Sequence, residues 1–444
     1  MQAGQTKYGI GMTVSACLWL GLFPLLQFFT YQTITRDKWI CMLILTGVTL
    51  AGFLADLFCR RLSRPRLFPL LFGGALLIWM ILSNAFSPYT DAGRLTASPW
   101  WIGAGRREGL ATQLCYLGLL FLFSCSRVNC TPVRISAVCG VAGFFIVVLL
   151  QRAGGNPLGL YPGKLSYATN AYFQGTIGHV DMGAGYLLIV SGLFLPAFTD
   201  ALRRLLRQSR NEEAIPAGGK PKRLLFLSAW MYLLAFLICV YLIVTMDVQL
   251  GILTLLVLLV WTLVRLLPVK FRLPVLLVLM AAALVLVWFW PGSGGAVWEL
   301  HEVLHGRPQL MFGSGRIGVW MYTLRMLKAD FRPLFGSGTD TFALRFNTFL
   351  QSYYAGHPEA EHLIEFFDNP HCEYLAWIVN CGLPALFFFL VLVLGGCFGA
   401  VPWRDSILCY GIQALLSFSV CIVAPMFWVV LGMSYAVCEK KESE

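Results

Sequence analysis

The feature that most constrains this chain is the recurrence of apolar runs about 20 residues long, roughly at 8–30, 39–59, 66–86, 110–126, 132–151, 183–202, 224–244, 250–267, 272–290, 375–400, 405–419 and 421–437. A helix of about 20 apolar residues covers the ~30 Å hydrocarbon layer, where every backbone polar group must be bonded internally. The runs predict an all-α fold: one polytopic membrane domain, 1–444, of about twelve transmembrane helices. Composition agrees, with 58% hydrophobic and only 12% charged residues, against about 25% charged in soluble chains. The first run lacks a basic leader and a small-residue cleavage site, so it reads as a retained span.

Lys and Arg set the orientation, because cytoplasmic loops retain positive charge during insertion. With residue 1 inside, the inner segments carry Lys7; Arg60, Arg61, Arg64, Arg66; Arg127, Arg134; Arg203, Arg204, Arg207, Arg210, Lys220, Lys222, Arg223; Arg265, Lys270, Arg272; Arg404; and Lys440, Lys441. These are 20 of the 33 cations, although the outer segments are longer. Both termini then lie inside, and the net charge of +11 is mostly a topology signal, which argues against a nucleic-acid partner. The stretch 203–223, "RRLLRQSRNEEAIPAGGKPKR", reads as a flexible basic cytoplasmic linker. Three outer segments are long, near 87–109, 152–182 and 291–374, the last between spans nine and ten. It holds five of the six histidines, and His179 belongs to the second.

The 14 cysteines fall almost entirely in apolar spans, where thiols act as small hydrophobes; only Cys372 and Cys381 lie near the outer face. There is no CxxC pair and no zinc spacing, so no metal or other cofactor is expected.

The chemistry-bearing residues gather in the outer segments. In "MFGSGRIGVWMYTLRMLKADFRP", 311–333, Ile317, Trp320, Met321, Leu324 and Leu327 recur at helical spacing, with Ser314 or Gly315 as cap and Arg332-Pro333 as stop. Arg316 then sits in the first turn. There a guanidinium joins free backbone N–H groups and the positive helix end to receive phosphate oxygens; it serves equally as a contact for lipid headgroups or a loop carboxylate. In "FFDNPHCEYLAWIVNCGLPALFFFL", 366–390, Asn369 reads as a cap, Pro370 as the first helical residue and His371 as first-turn. The dipole disfavours imidazolium there, leaving either a neutral general base or a loop-capping histidine.

The glycines of "YFQGTIGHVDMGAGYLL", 172–188, either admit a ligand or permit close helix packing, with His179 and Asp181 at the membrane edge. In "SPWWIGAGRREGLATQL", 98–114, Arg106 and Arg107 lie beneath two interface tryptophans, on the side with few cations. "LFGSGTDTF", 334–342, reads as a turn and lacks the lysine of a phosphate-binding P-loop.

In this order and topology the stretches resemble the O-antigen ligase and polymerase superfamily of membrane glycosyltransferases, over about 98–435. The elements are G-R-x-E-G at Gly105 to Gly109, G-T-x-G at Gly175 to Gly178, G-R-x-x-x-W at Gly315 to Trp320, P-L-x-G-x-G at Pro333 to Gly338, and the histidine opening the helix after the large outer loop. The resemblance implies a multi-pass protein of the bacterial cytoplasmic membrane with an outward-facing site. It would move glycan, without a metal ion, from an undecaprenyl-pyrophosphate carrier to a hydroxyl of a glycan, lipid or protein acceptor. It implies that Arg316 binds the pyrophosphate and that His371 acts on the acceptor.

Three positions depart from the family. The turn "VTMDVQLG", 244–251, offers Asp247 and Gln249 where an arginine is common; His179 and Asp181 stand where two asparagines are usual; and His371 is followed by Cys372 rather than asparagine. Arg106 or Arg107 is therefore expected to help hold the donor, with His179 and Asp181 also among the substrate-binding residues. A transporter for a lipid-linked sugar is the alternative. It would suit the spans and termini but lacks a two-half repeat, lacks a charged pathway within the spans, and does not need so large an outer loop. A structural or sensor protein would leave the Arg and His elements without a role. Cysteine-accessibility mapping should find 203–223 protected from outside reagent and 291–374 accessible; the reverse would overturn the orientation.

Overall fold

A computed structural model describes residues 8–63, 66–89, 98–209, 221–358, 367–399 and 402–436. Most of the 203–223 linker, and Lys7, Arg64, Arg210, Lys220, His362, Lys440 and Lys441, lie outside the described residues. The chain is an all-α polytopic membrane protein. Its helices are α1 (Ile10–Cys17), α2 (Ile34–Phe58), α3 (Leu67–Ala85), α4 (Ser98–Trp101), α5 (Leu110–Ser124), α6 (Cys130–Arg152), α7 (Val180–Ser209) and α8 (Lys222–Thr245). There follow α9 (Gln249–Val264), α10 (Val269–Trp288), α11 (Gly295–Leu304), α12 (Arg316–Ala329), α13 (Phe342–Gly356), α14 (Glu373–Cys397), α15 (Arg404–Gln413) and α16 (Ala424–Tyr435). A two-residue hairpin, β1 (Phe173–Gln174) with β2 (Gly178–His179), precedes α7.

Among the described residues seven helices are long and apolar enough to cross a membrane, and four shorter apolar ones accompany them. The C-terminal stretches differ from expectation. Where spans were expected at 405–419 and 421–437, α15 has 10 residues and α16 has 12. At 1.5 Å per residue these are about 15 and 18 Å long, short of a full crossing. Non-helical backbone joins them, and Val420, Cys421, Ile422 and Val423 are buried within the protein. Irregular backbone is tolerated at membrane depth when protein rather than lipid surrounds it.

Helix α7 is the hub. Most of its apolar length is buried, whereas α10 has no buried residue. Small residues explain the first: a side chain on Gly192 would lie 2.4 Å from the Ser406 backbone nitrogen, so α7 and α15 touch main chain to main chain. Uniform apolarity explains the second, since α10 is apolar on every face and can meet lipid all round.

Helix α14 is broken at Gly382, where φ is 82° and ψ 177°, two residues before Pro384. A break frees carbonyls that lipid cannot satisfy. Here the Asn380 carbonyl accepts from the Ser337 and Gly338 amides at 2.9 and 2.7 Å and from the Ser83 hydroxyl at 3.0 Å. The Cys381 carbonyl accepts from Trp79 Nε1 at 3.1 Å, and the Leu383 amide donates to the Pro333 carbonyl at 2.8 Å. The outer loop is thus bonded to α14 and α3 at one seam. An alanine at Gly382 would be strained by about 1–2 kcal/mol through its positive φ, and its Cβ would meet the Leu334 carbonyl oxygen at 2.1 Å. Gly382→Ala should therefore clearly lower the unfolding temperature of the detergent-purified protein. Gly47→Ala, mid-helix with nothing within 4 Å of the new Cβ, should leave it unchanged or raise it, by about 0.5–1 kcal/mol of helix stability.

Candidate active site

Arg316 opens α12 behind Gly315, whose φ of 83° ends the preceding turn, so the expected cap and first-turn position hold. The helix stops at Ala329, three residues before the expected Arg332. Its buried face is also offset from the predicted stripe: Gly318, Val319, Tyr322, Thr323, Met326 and Leu327 are buried while Leu324 is exposed. The Arg316 guanidinium donates through one Nη to the Gly313 carbonyl and through the other to Asp181 Oδ2, both at 2.9 Å.

Asp181 stands in the first turn of α7, directly after the hairpin. The G-T-x-G element is the hairpin turn, with Gly175 and Gly178 at positive φ. Its glycines serve packing and conformation: a Cβ on Gly175 would lie 2.3 Å from the Phe144 ring. Tyr31 donates its hydroxyl hydrogen to the Gly175 carbonyl at 2.8 Å, and the Gly175 amide donates to Gln151 Oε1 at 2.7 Å. The clamped hairpin fixes His179, whose Nδ1 accepts from the Asp181 amide at 3.3 Å. Burial lowers the proton affinity of His179; Asp181 opposes this, while Arg106 and Arg316 reinforce it.

Arg106 is held differently. Asp340 places one carboxylate oxygen against the amides of Gly105, Arg106 and Glu108, at 3.0, 2.9 and 3.2 Å. Burial pushes that carboxyl up to about 6 against the lowering effect of the three N–H groups, so at neutral pH the loop closes around an anion. The Arg106 side chain then pairs with Asp368 and lies 5.3 Å over the Phe418 ring. Arg107 goes elsewhere, 5.4 Å over Trp39.

His371 corrects one expectation. Helix α14 begins at Glu373 with Cys372 as cap residue, so His371 precedes the helix instead of occupying its first turn. Asn369 does not cap α14; its side-chain oxygen accepts from the His371 amide at 2.9 Å, a local turn that leaves His371 at φ 47°. Trp320 Nε1 of α12 donates to the Pro370 carbonyl at 2.8 Å and ties the two segments together. The imidazole meets Phe418 edge-on at 5.2 Å, and its Nδ1 has no hydrogen-bond partner among the described residues. Its proton affinity is lowered to about 4 by burial first and then by Arg316, with Arg106 adding a little and Asp181 and Asp368 opposing. The imidazole is therefore neutral, as expected, but burial rather than a helix end makes it so.

The structure thus gathers Arg316, Asp181, His179, Arg106 and His371, and leaves Arg107 aside. Sequence reading missed Asp340, Asp368 and Phe418. Asp368 and Asp340 lay inside stretches already singled out, 366–390 and 334–342, but without an assigned role; Phe418 carried no local cue. A cavity of about 60 Å³ lies alongside, lined by Arg106, Glu108, Asp340, Asp368, Glu373 and Trp377 among others. The turn at 336–338 cannot cradle phosphate, because the Ser337 and Gly338 amides are bonded to α14. Since hydrogen bonds to a charged group are worth about 1.5–3 kcal/mol, Asp340→Ala should destabilise the protein by about 2 kcal/mol or more. Asp340→Asn, which keeps an acceptor oxygen, should cost less; thermal unfolding of the two purified variants checks the order.

Residues 234–390 match the family model described as O-antigen ligase. The match runs from within α8 to within α14 and takes in Arg316 and His371, while Arg106, His179 and Asp181 lie outside it. No curated protein matches the chain. Two candidate residues lie inside the stretch that is similar to the O-antigen ligase family, and the others fold against it.

Proposed function

We propose that this protein transfers glycan from an undecaprenyl-pyrophosphate carrier to an acceptor hydroxyl at the outer membrane face. The observation that carries the reading is one cluster: Arg106 and the His371 imidazole both meet the Phe418 ring, at 5.3 and 5.2 Å, and α12, which Arg316 opens, is bonded through Trp320 to Pro370 beside His371. A glycosyl pyrophosphate is already activated. Direct displacement needs a base on the acceptor and charge stabilisation on the departing group. His371 takes the acceptor proton as its oxygen bonds to the anomeric carbon, and the bond to pyrophosphate breaks with its electron pair. Arg316 and Arg106 receive the charge on the leaving group, and Arg316 does so at a helix start whose amides add attraction. His179 braces Asp181 rather than touching the donor. The acceptor identity divides ligase from polymerase and is read by other outer residues.

His371→Ala should slow transfer at least about a hundredfold, the lower end of general-base catalysis, with donor binding and membrane expression kept; wild-type turnover would remove the base role. Arg316→Lys should lose most activity, because an ammonium cannot reproduce the planar two-point contact. The neutral form of His371 is the active one, so the limb of kcat/KM that belongs to His371 should lie near pH 4, below any loss near pH 6 as Asp340 is protonated and its hold on the 105–109 loop weakens. A fall centred near 6.5 that persists unchanged in Asp340→Asn would contradict the buried site.

A further inference from the structure

Neither guanidinium is unpaired in the free protein. Arg316 is 2.9 Å from Asp181, and Arg106 is bonded to Asp368. Aspartate is a poor ligand for a pyrophosphate, since two anions in a partly buried site repel each other. Yet each aspartate occupies a donor direction that a phosphate oxygen would use, in the same charge-assisted geometry. Both pairs also lie by one ring: Arg106 and the His371 imidazole share the Phe418 ring at 5.3 and 5.2 Å, and Trp320, on the helix that Arg316 opens, bonds the Pro370 carbonyl next to His371; of the four charges, the aspartates raise the proton affinity of His371 and the arginines lower it. The other titratable groups facing this region are His179 on β2, Asp340 beneath the Arg106 backbone, Glu108 on the same loop and Glu373 at the start of α14.

Resting on the donor and base roles above, we propose that Asp181 and Asp368 are place-holders for the pyrophosphate. They align Arg316 and Arg106 in the free protein, release them to the donor, and then, unpaired beside His371, strengthen it as a base. Both are positioning residues, and each acts through an arginine and the imidazole. The exchange changes partners and adds negative charge: the guanidiniums pass from the two carboxylates to the arriving pyrophosphate, and the carboxylates remain in the site. The donor thus cancels the two positive neighbours of His371 and leaves the two negative ones uncompensated. An opposite charge within a few ångströms typically raises a histidine by about 1–3 pH units, which restores much of the basicity that burial removes. During transfer the acceptor O–H proton passes to His371, the new C–O bond forms, and the bonding pair of the old one leaves on the pyrophosphate. When the carrier departs, the arginines return to the aspartates, His371 weakens as a base and its proton passes to solvent. An empty site would therefore hold a weak base, and a loaded site a competent one.

Two measurements on the full-length protein test this. The pH profile of kcat/KM reports the free enzyme and that of kcat the donor complex. The acid limb of kcat should lie at least about one pH unit above that of kcat/KM; coincident limbs overturn the proposal. Binding of inorganic pyrophosphate, measured calorimetrically in detergent, supplies the second test. Asp181→Asn and Asp368→Asn each remove a competing anion. They should bind pyrophosphate about tenfold tighter, equivalent to ~1.4 kcal/mol, while turning over about tenfold more slowly. A purely structural role would weaken binding and turnover together, and that result, or unchanged affinity, overturns it. If pyrophosphate fails to bind the wild type and Arg316→Lys transfers normally, the donor reading itself falls. If binding depends on Arg316 but the two limbs coincide, only the exchange falls.

Discussion

The break in α14 is the constraint on which the rest of the outer structure depends. Interrupting a helix beside lipid exposes carbonyls that must find donors within the protein. Those of Val379, Asn380 and Cys381 find them in the 337–338 amides and in Ser83 and Trp79 of α3. The 333–338 loop is thereby pinned, Asp340 follows two residues on, and the Asp340 carboxylate gathers the 105–109 loop. Arg106 is thus placed by a chain of backbone bonds that starts at Gly382. The glycines at 336 and 382 have a direct cause: a Cβ would sit 2.5 Å from the Asn380 carbonyl oxygen at the first and 2.1 Å from the Leu334 carbonyl oxygen at the second.

Electrostatics decides what that scaffold can hold. Charges in a partly buried pocket gain from pairing, more so for Arg316 and Asp181 than for the more exposed Arg106 and Asp368. Pairing Arg316 with Asp181 and Arg106 with Asp368 achieves this without adding net charge beside the imidazole. The aromatic edge of Phe418 between Arg106 and His371 keeps the cation on a ring face, where it is attracted, and off the imidazole. Phe418 comes from the non-helical connection between α15 and α16, so the shortness of those helices contributes directly to the site.

Hydropathy made the membrane class and most helices legible, because lipid imposes a simple length rule that local sequence must obey. Arg316 at a helix start was legible for a similar reason, since glycine caps act over a few residues. His371 was misplaced because Asn369-Pro370 satisfies two local rules for a helix start, while the actual turn is set by the Asn369 side chain bonding the His371 amide. The α12 face was misjudged because apolar side chains there are not all inward; Leu324 is exposed. Partners far apart in sequence were invisible to any periodicity: Asp181 precedes Arg316 by 135 residues, and Asp368 follows Arg106 by 262. Only a folded chain reveals that the arginines arrive already paired.

Backbone conformation shows where the fold concentrates its tension. Of the seven described non-glycine residues at positive φ, four are Arg107, Ser314, Asp340 and His371, each in or next to the segments that carry the site. Such conformations cost about 1–3 kcal/mol each and persist only where the surroundings over-determine them. Here the surroundings do: the amide nest around Asp340, the Asn369 turn at His371 and the Trp320 bond to Pro370 each lock one of these segments. The same segments hold polar atoms without partners among the described residues, Arg316 Nε and His371 Nδ1. Both features thus coincide around one imidazole and the two guanidiniums, where local backbone strain is held by the surrounding bonds.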